Sequence, residues 1–256
     1  IYSPLWDNFA LGGCMKKYNY EILTGDEHIY HLWEPLHFEI KDNYKYITTS
    51  FIFNLFSTLA LIPIGLILFV FNRIFFGYKV KGRDKLVKNT GFVSVSNHIH
   101  PMDCTFIGLI YYPKSVYYPT VDTNFKIPVI RHLIRLLHAF PIPKEKEKKK
   151  DFYEQIDSAL KHKKILQMYP EGSLWPYYDK VRNFKYGAFK IAASANVPIQ
   201  PIRFTFVKPY GIYRLYKKKD CIEATILDPI YPNLDLDLTR RIEDLRERAY
   251  ISIKVE

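Results

Sequence analysis

A histidine and an aspartate five residues apart, His98 and Asp103, are the side chains of this sequence best suited to moving a proton. They lie in VSVSNHIHPMDCTFIGLI, residues 93–110, where a β-rich run ends at Ser96 and a helical pattern follows Pro101. On one continuous helix that spacing would set the two side chains roughly 140° apart around the axis. They can meet only if His98 stands in a loop before the helix. Pro101 favours that break: it suits the first helical position, where its missing N–H costs nothing, and it disfavours helix in the residue before it. Asp103 then falls in the first turn. A carboxylate beside an imidazole fixes the tautomer and stabilises the imidazolium, which makes a general base. No serine or cysteine nucleophile is needed if the substrate brings its own hydroxyl. The structural alternative is a turn histidine with Asp103 as a charge at a helix N-terminus.

His100 forms a His-x-His with His98, a pattern that can open a metallohydrolase site. The other histidines (His28, His31, His37, His132, His138, His162) add no matching motif, so no metal is expected. A metal-dependent hydrolase built on His98, His100 and Asp103 stays as the alternative, beside an inactive membrane-binding module. Cys104 reads as a packed thiol rather than an acyl-enzyme nucleophile. Further on, MYPEGSLWP (168–176) places Glu171 and Gly172 in a turn after a β-rich run.

The elements that must position these groups alternate. β-rich runs occur at 78–82, 91–96, 115–120, 139–143, 165–169, 199–206 and 222–227. Between them, Asp151 reads as an N-cap, followed by Phe152, Ile156, Ala159 and Leu160 on one helical face. Residues 185–195 and 237–252 read as helices, and KEKEKKK (144–150) as a solvated loop. Strands alternating with helices indicate an α/β layer fold. The organisation expected is an aromatic-rich region at 1–46, a hydrophobic segment at 47–76, a catalytic domain at 77–235 and an amphipathic C-terminal helix at 236–256.

The chain has 256 residues, 48% of them apolar, and a net charge of +11. That excess calls for an anionic partner. Nucleic acid fits poorly, because the cations are scattered and no nucleic-acid-binding motif is present. Cys14, Cys104 and Cys221 are too far apart for a disulfide framework or a cysteine metal site. The chain opens on Ile1, so residues are expected to precede it. Phe51 to Phe71 carries no charge and is about long enough to cross a bilayer. Pro63 and Gly65 in its middle could kink it or fold it back as a shallow hairpin; a buried core helix is the bland alternative.

Three blocks together are specific. NHIHPMD, YPEGS and FKYGAFKIAASANVPIQPI, spread over about residues 78–210, resemble in order the conserved blocks of the glycerolipid acyltransferases, the lysophosphatidate acyltransferase family. The resemblance implies a mixed β-sheet flanked by helices and transfer of an acyl group from acyl-CoA or acyl-carrier protein to a lysophospholipid hydroxyl, with no further cofactor. His98 would be the base and Asp103 its partner. Asn97, Glu171, Gly172 and Ser173 would place the acceptor headgroup, and Val197, Pro198, Ile199 and Pro201 would wall the acyl chain. Two positions depart from the pattern: Lys144 stands where an arginine is expected, losing the bidentate fork, and Leu174 stands where an arginine is common. Lys144, Arg182 and Lys185 are then the candidate phosphate ligands.

Acyl thioesters of this kind are cytosolic, so the catalytic domain is expected on the cytoplasmic side of a membrane. Arg73, Lys79, Lys81, Arg83, Lys85 and Lys88 crowd the C-terminal flank of the apolar segment, in line with that orientation. Insertion by burial resists salt, whereas attraction to anionic lipid does not. The protein is therefore expected to stay in the membrane fraction through a high-salt or carbonate wash, and deletion of residues 51–71 to release it. An intact chain that washes off in salt would make the segment a core helix.

Overall fold

The computed structural model describes residues 36–254. A long helix, α1 (Phe51–Phe76), leads into β1 (Lys79–Lys81) and β2 (Phe92–Ser96). After them come α2 (Asp103–Tyr111), β3 (Val116–Thr120), α3 (Ile130–Leu136), β4 (Ala139–Pro141), α4 (Lys146–Lys161) and β5 (Ile165–Met168). The chain closes with α5 (Gly187–Ala195), β6 (Ile199–Val207), α6 (Tyr213–Tyr216), β7 (Cys221–Ile226) and α7 (Leu238–Ile253). Each β-rich run of the sequence forms a strand. The sheet order is β1-β7-β6-β2-β5-β3-β4. β6 and β7 pair antiparallel and the other neighbours parallel, so the sheet is mixed.

β2 lies at the centre, and all five of its residues are buried, as expected for a parallel strand covered on both faces. Val93 and Val95 join one core layer with Phe189 and Ala192 of α5, Ile156 and Leu160 of α4, and Leu245 and Ala249 of α7. Phe92 faces the other layer with Phe106, Ile107 and Ile110 of α2. α7 thus packs into the same hydrophobic core, and so do Ile40, Tyr46 and Ile47 of the segment before α1.

Two helix starts differ from the sequence reading. Asp151 lies inside α4, whose N-cap is Glu145; most of the lysine-rich run expected as a loop forms its first turns. Lysine and glutamate are strong helix formers, and a solvated face needs no apolar residue to sustain it. Pro101 is likewise not the first helical residue. α2 begins at Asp103 with Met102 as its cap.

α1 runs unbroken through Pro63, so the hairpin does not form. Its 26 residues are apolar enough to cross a membrane by length and composition, and almost none of that apolar surface is buried. The core-helix alternative fails on that point. Only Ser57, Gly65 and Asn72 are buried, and they tie one side of the helix to the domain. Asn72 Nδ2 donates to Thr105 Oγ1 of α2 at 3.0 Å. A Cβ on Gly65 would stand 2.5 Å from the Tyr112 ring, so only glycine allows that approach as drawn. Ser57 Oγ donates to Leu136 O at 2.7 Å and lies 2.8 Å from His138 Nε2, which must then donate to it.

Burial lowers His138 from the ordinary 6.5 to about 4, and Lys164 and Arg135 push in the same direction. His100 is lowered to about 4, again mainly by burial. Both are neutral in the fold and take up a proton on unfolding below pH 6.5, so the stability they allow is complete above that pH and is lost as pH falls toward 4. Each shift corresponds to about 3 kcal/mol. Melting temperatures should therefore drop between pH 6.5 and 4, and His138→Gln should flatten the drop; a flat wild-type profile would contradict the assignment.

Candidate active site

The loop between β2 and α2 leaves the carboxyl end of the central strand, the usual place for a ligand in an open α/β sheet. Asn97 sets its direction. The side-chain Nδ2 donates to Phe204 O at 2.9 Å and its Oδ1 accepts from Phe204 N at 2.8 Å. The amide thus mimics a strand residue and prolongs the β2–β6 pairing. Asn97 is buried with its amide paired to the Phe204 backbone, so it aims the loop.

His98 follows, with its side chain 21% exposed, and Asp103 is completely buried at the first position of α2. His98 Nδ1 lies 2.8 Å from Asp103 Oδ2. The same oxygen accepts from the backbone N–H of Ile99 at 2.8 Å and of His100 at 3.0 Å. With Nδ1 donating to the carboxylate, the tautomer leaves the Nε2 lone pair available on the opposite edge of the ring. The Tyr169 ring stacks on the imidazole, with centroids 4.0 Å apart and planes at 15°. Tyr169 escaped the sequence reading; its only signal was an aromatic residue directly ahead of Pro170-Glu171-Gly172.

His100 points away from this pair. Its Nδ1 accepts from Met102 N at 3.1 Å and its Nε2 meets Tyr177 Oη at 3.0 Å. Both ring nitrogens are spent within the protein, which removes the histidine on which the metallohydrolase alternative relied.

Glu171 reaches the loop from the end of β5. Its Oε2 accepts from the His98 backbone N–H at 3.4 Å and from Arg182 Nη2 at 2.9 Å, and its Oε1 accepts from Arg182 N at 3.1 Å. Burial raises the Glu171 carboxyl above its ordinary value, against the opposing charge of Arg182. Arg182 Nη1 also donates to Ser173 Oγ at 2.7 Å, Nη2 donates to Ser173 O, and the guanidinium lies 4.5 Å from the Trp175 ring centre. Glu171, Ser173 and Arg182 therefore knit one another into a buried brace beneath His98. Gly172 turns with φ +81°, and the Lys185 side chain crosses directly over it on the solvent side. Lys144 is elsewhere: it is exposed and pairs with Asp122 at 2.9 Å.

A cavity of about 210 Å3 opens beside the first turn of α2. Its walls include Leu61, Ile64 and Leu68 of α1, Gly108 and Leu109 of α2, and Leu137 after α3. Cys104 lines this cavity and is exposed to it; the protein packed around the thiol, with the Asp103 charge, raises it to about 11, so it stays protonated. Val197, Pro198, Ile199 and Pro201 do not line it. They are buried where β6 enters the sheet, with Ile199 opposite Val93 and Pro201 opposite Val95. The sequence could not reveal this, because the cavity exists only where α1 is laid across α2 and α3.

The family model described as Acyltransferase matches residues 77–205, which hold both the His98–Asp103 pair and the Glu171–Gly172 turn, and the chain belongs to that family. It is 26% identical over 162 residues to the 1-acyl-sn-glycerol-3-phosphate acyltransferase of Saccharomyces cerevisiae, covering 59% of this chain and 51% of that one. To the enzyme of the same name from Bacillus subtilis it is 25% identical over 142 residues, covering 56% of this chain and 68% of that one. The chain thus spans about half the length of the yeast relative. The crystal structure of the 1-acyl-sn-glycerophosphate (LPA) acyltransferase from Thermotoga maritima aligns with a TM-score of 0.48 at 19% identity, over 80% of this chain and 94% of that one.

The buried brace predicts how Arg182 behaves when changed. Arg182→Ala strands the Glu171 charge and should cost about 3–5 kcal/mol of stability. The loss should appear in thermal melts without any ligand, and Arg182→Lys should restore only part of it. A stable Arg182→Ala protein with a raised KM for a phosphorylated acceptor alone would return this arginine to phosphate binding.

Proposed function

We propose that the protein transfers a fatty acyl group from an acyl thioester to the free hydroxyl of a lysophosphatidate, giving phosphatidate. The observation that carries the reading is the 2.8 Å contact between His98 Nδ1 and a buried Asp103 carboxylate already pinned by two backbone N–H groups. His98 Nε2 takes the proton from the acceptor hydroxyl as its oxygen attacks the thioester carbonyl carbon. Asp103 stabilises the resulting imidazolium. The C–S bond then breaks, and the imidazolium returns the proton to the leaving thiolate. The products are an ester and a free thiol on coenzyme A or acyl-carrier protein. The names of the yeast and Bacillus relatives support a glycerol phosphate as acceptor. Lys185, held over Gly172 at the solvent side of the turn, is the cation proposed for its phosphate.

α1 is the proposed membrane element. Its attachment points Ser57 and Asn72 are about 22 Å apart along the helix axis, at 1.5 Å per residue. A helix clamped to the domain over that length cannot stand upright in a bilayer without carrying the domain with it. It therefore lies within one leaflet, its exposed apolar side in lipid, with the catalytic loop at the face where cytosolic thioesters arrive. The cavity between α1 and α2 then receives the acyl chain from the hydrocarbon side.

The experiment is a thioester-release assay on the purified, detergent-solubilised protein with lysophosphatidate, with monoacylglycerol and without acceptor. Release should require lysophosphatidate. His98→Ala should lower it about 10²–10⁴-fold while the fold survives; near-normal turnover in that variant would exclude the mechanism. Gly108→Leu tests the acyl chain: a Cβ at that position meets only Tyr118 Oη, at 3.6 Å, so a larger side chain projects into open cavity. The variant should shift preference toward shorter chains, and an unchanged chain-length profile would remove the cavity from substrate binding.

A further inference from the structure

We infer that residues 208–219 form a second membrane contact, one that docks on anionic lipid beside the C-terminal end of α1. The inference rests on α1 being the primary membrane element. Four observations carry it.

First, Tyr213 is the one buried residue of α6, whereas Ile212, Leu215 and Tyr216 are 68%, 83% and 52% exposed. A leucine this bare on a helix of one turn contributes nothing to the fold.

Second, the segment is fastened to α1 at the point where its exposed side ends. Tyr216 Oη donates to Ile74 O at 2.8 Å and Lys217 Nζ donates to Phe75 O at 2.6 Å. These carbonyls belong to the last turn of α1, whose partial negative charge suits a cation. Ile74 and Phe75 are themselves exposed, so the apolar surface of α1 continues without a break onto α6.

Third, the sequence KPYGIYRLYKKK carries five cations, Lys208, Arg214, Lys217, Lys218 and Lys219, and no acidic residue. Asp220, the next residue, answers only Lys208, at 3.2 Å. Apolar side chains flanked by lysines and an arginine match the hydrocarbon boundary and the headgroup layer of an anionic leaflet. A protein partner would not need to be continuous with a lipid-facing helix.

Fourth, the patch adjoins the reaction site: the Lys219 ammonium is 5.9 Å from the Tyr177 ring centre, and Tyr177 holds His100. Docking this segment would therefore fix the height of the catalytic loop above the membrane.

The test places a tryptophan at Leu215 and, separately, at Leu66 on the exposed side of α1, in the full chain reconstituted into vesicles. The emission added over the parent protein is challenged with brominated phosphatidylcholine from the lipid side and with acrylamide from the water side. Leu66→Trp should be quenched by bromolipid and shielded from acrylamide. Leu215→Trp should behave the same way in vesicles containing phosphatidylglycerol, and should be several-fold less quenched by bromolipid in pure phosphatidylcholine. Arg214→Gln with Lys218→Gln should abolish that difference between vesicles. If Leu66→Trp is not quenched by bromolipid, the reading of α1 is wrong and the inference falls with it. If Leu66→Trp is quenched and Leu215→Trp is open to acrylamide, the second contact alone is refuted. A Leu215→Trp shielded from acrylamide yet insensitive to bromolipid means a protein covers the patch, which also refutes it. Equal quenching in both vesicle types refutes the anionic preference.

Discussion

Three donors converge on one oxygen of a buried carboxylate, and the site is built around that point. Asp103 Oδ2 takes the N–H groups of Ile99 and His100 and the Nδ1–H of His98. Two of these bonds fold the loop and the third orients His98, the proposed base, so the folding of the loop and the alignment of the histidine are one event. Hydrogen bonds to a charged acceptor are the strong ones, and here they are sheltered from water. Asp103 is held in turn by its place at the start of α2, which packs Phe106, Ile107 and Ile110 against the sheet. A change that moves α2 moves the base.

Charge under the site is balanced locally. Glu171 and Arg182 compensate each other in a space that excludes water, and Glu171 spends one oxygen on the His98 backbone as well. This explains why a residue at a phosphate-binding position in the sequence reading turns out to be a structural ion pair. A guanidinium with five donors can satisfy a carboxylate, a hydroxyl and a carbonyl together, and it does so here. The Lys185 side chain, exposed, crosses over the turn at Gly172.

Much of this was legible in the chain. The alternation of β-rich runs and helices yields the sheet, and the five-residue spacing with Pro101 forces His98 into a loop. The spacing does not say that Asp103 begins the helix, because a cap such as Met102, with no side-chain bond, leaves no signature in sequence. The start of α4 was misplaced for a related reason: a lysine-rich run looks the same whether solvated as a loop or as a helix face. Asn97 illustrates the hardest case. A polar residue beside a candidate catalytic histidine invites a ligand role, and only tertiary pairing with Phe204, 107 positions away, reveals that its amide bonds to backbone. The cavity could not be read at all, since its walls come from segments that are distant in sequence and meet where Ser57, Gly65 and Asn72 press α1 against the domain.

The commitment of Asn97 has one more consequence. Loops that carry chemistry usually belong to the soft part of a protein and open independently of the core. Here a side-chain amide extends the ladder of the central strand by one rung, and the histidine is the very next residue. His98 is therefore coupled to the pairing of β2 and β6 through the residue that precedes it. Thermal agitation that leaves the sheet intact leaves the base aligned. An enzyme built this way would lose competence and tertiary structure together, along a single transition, with no dormant folded state between them.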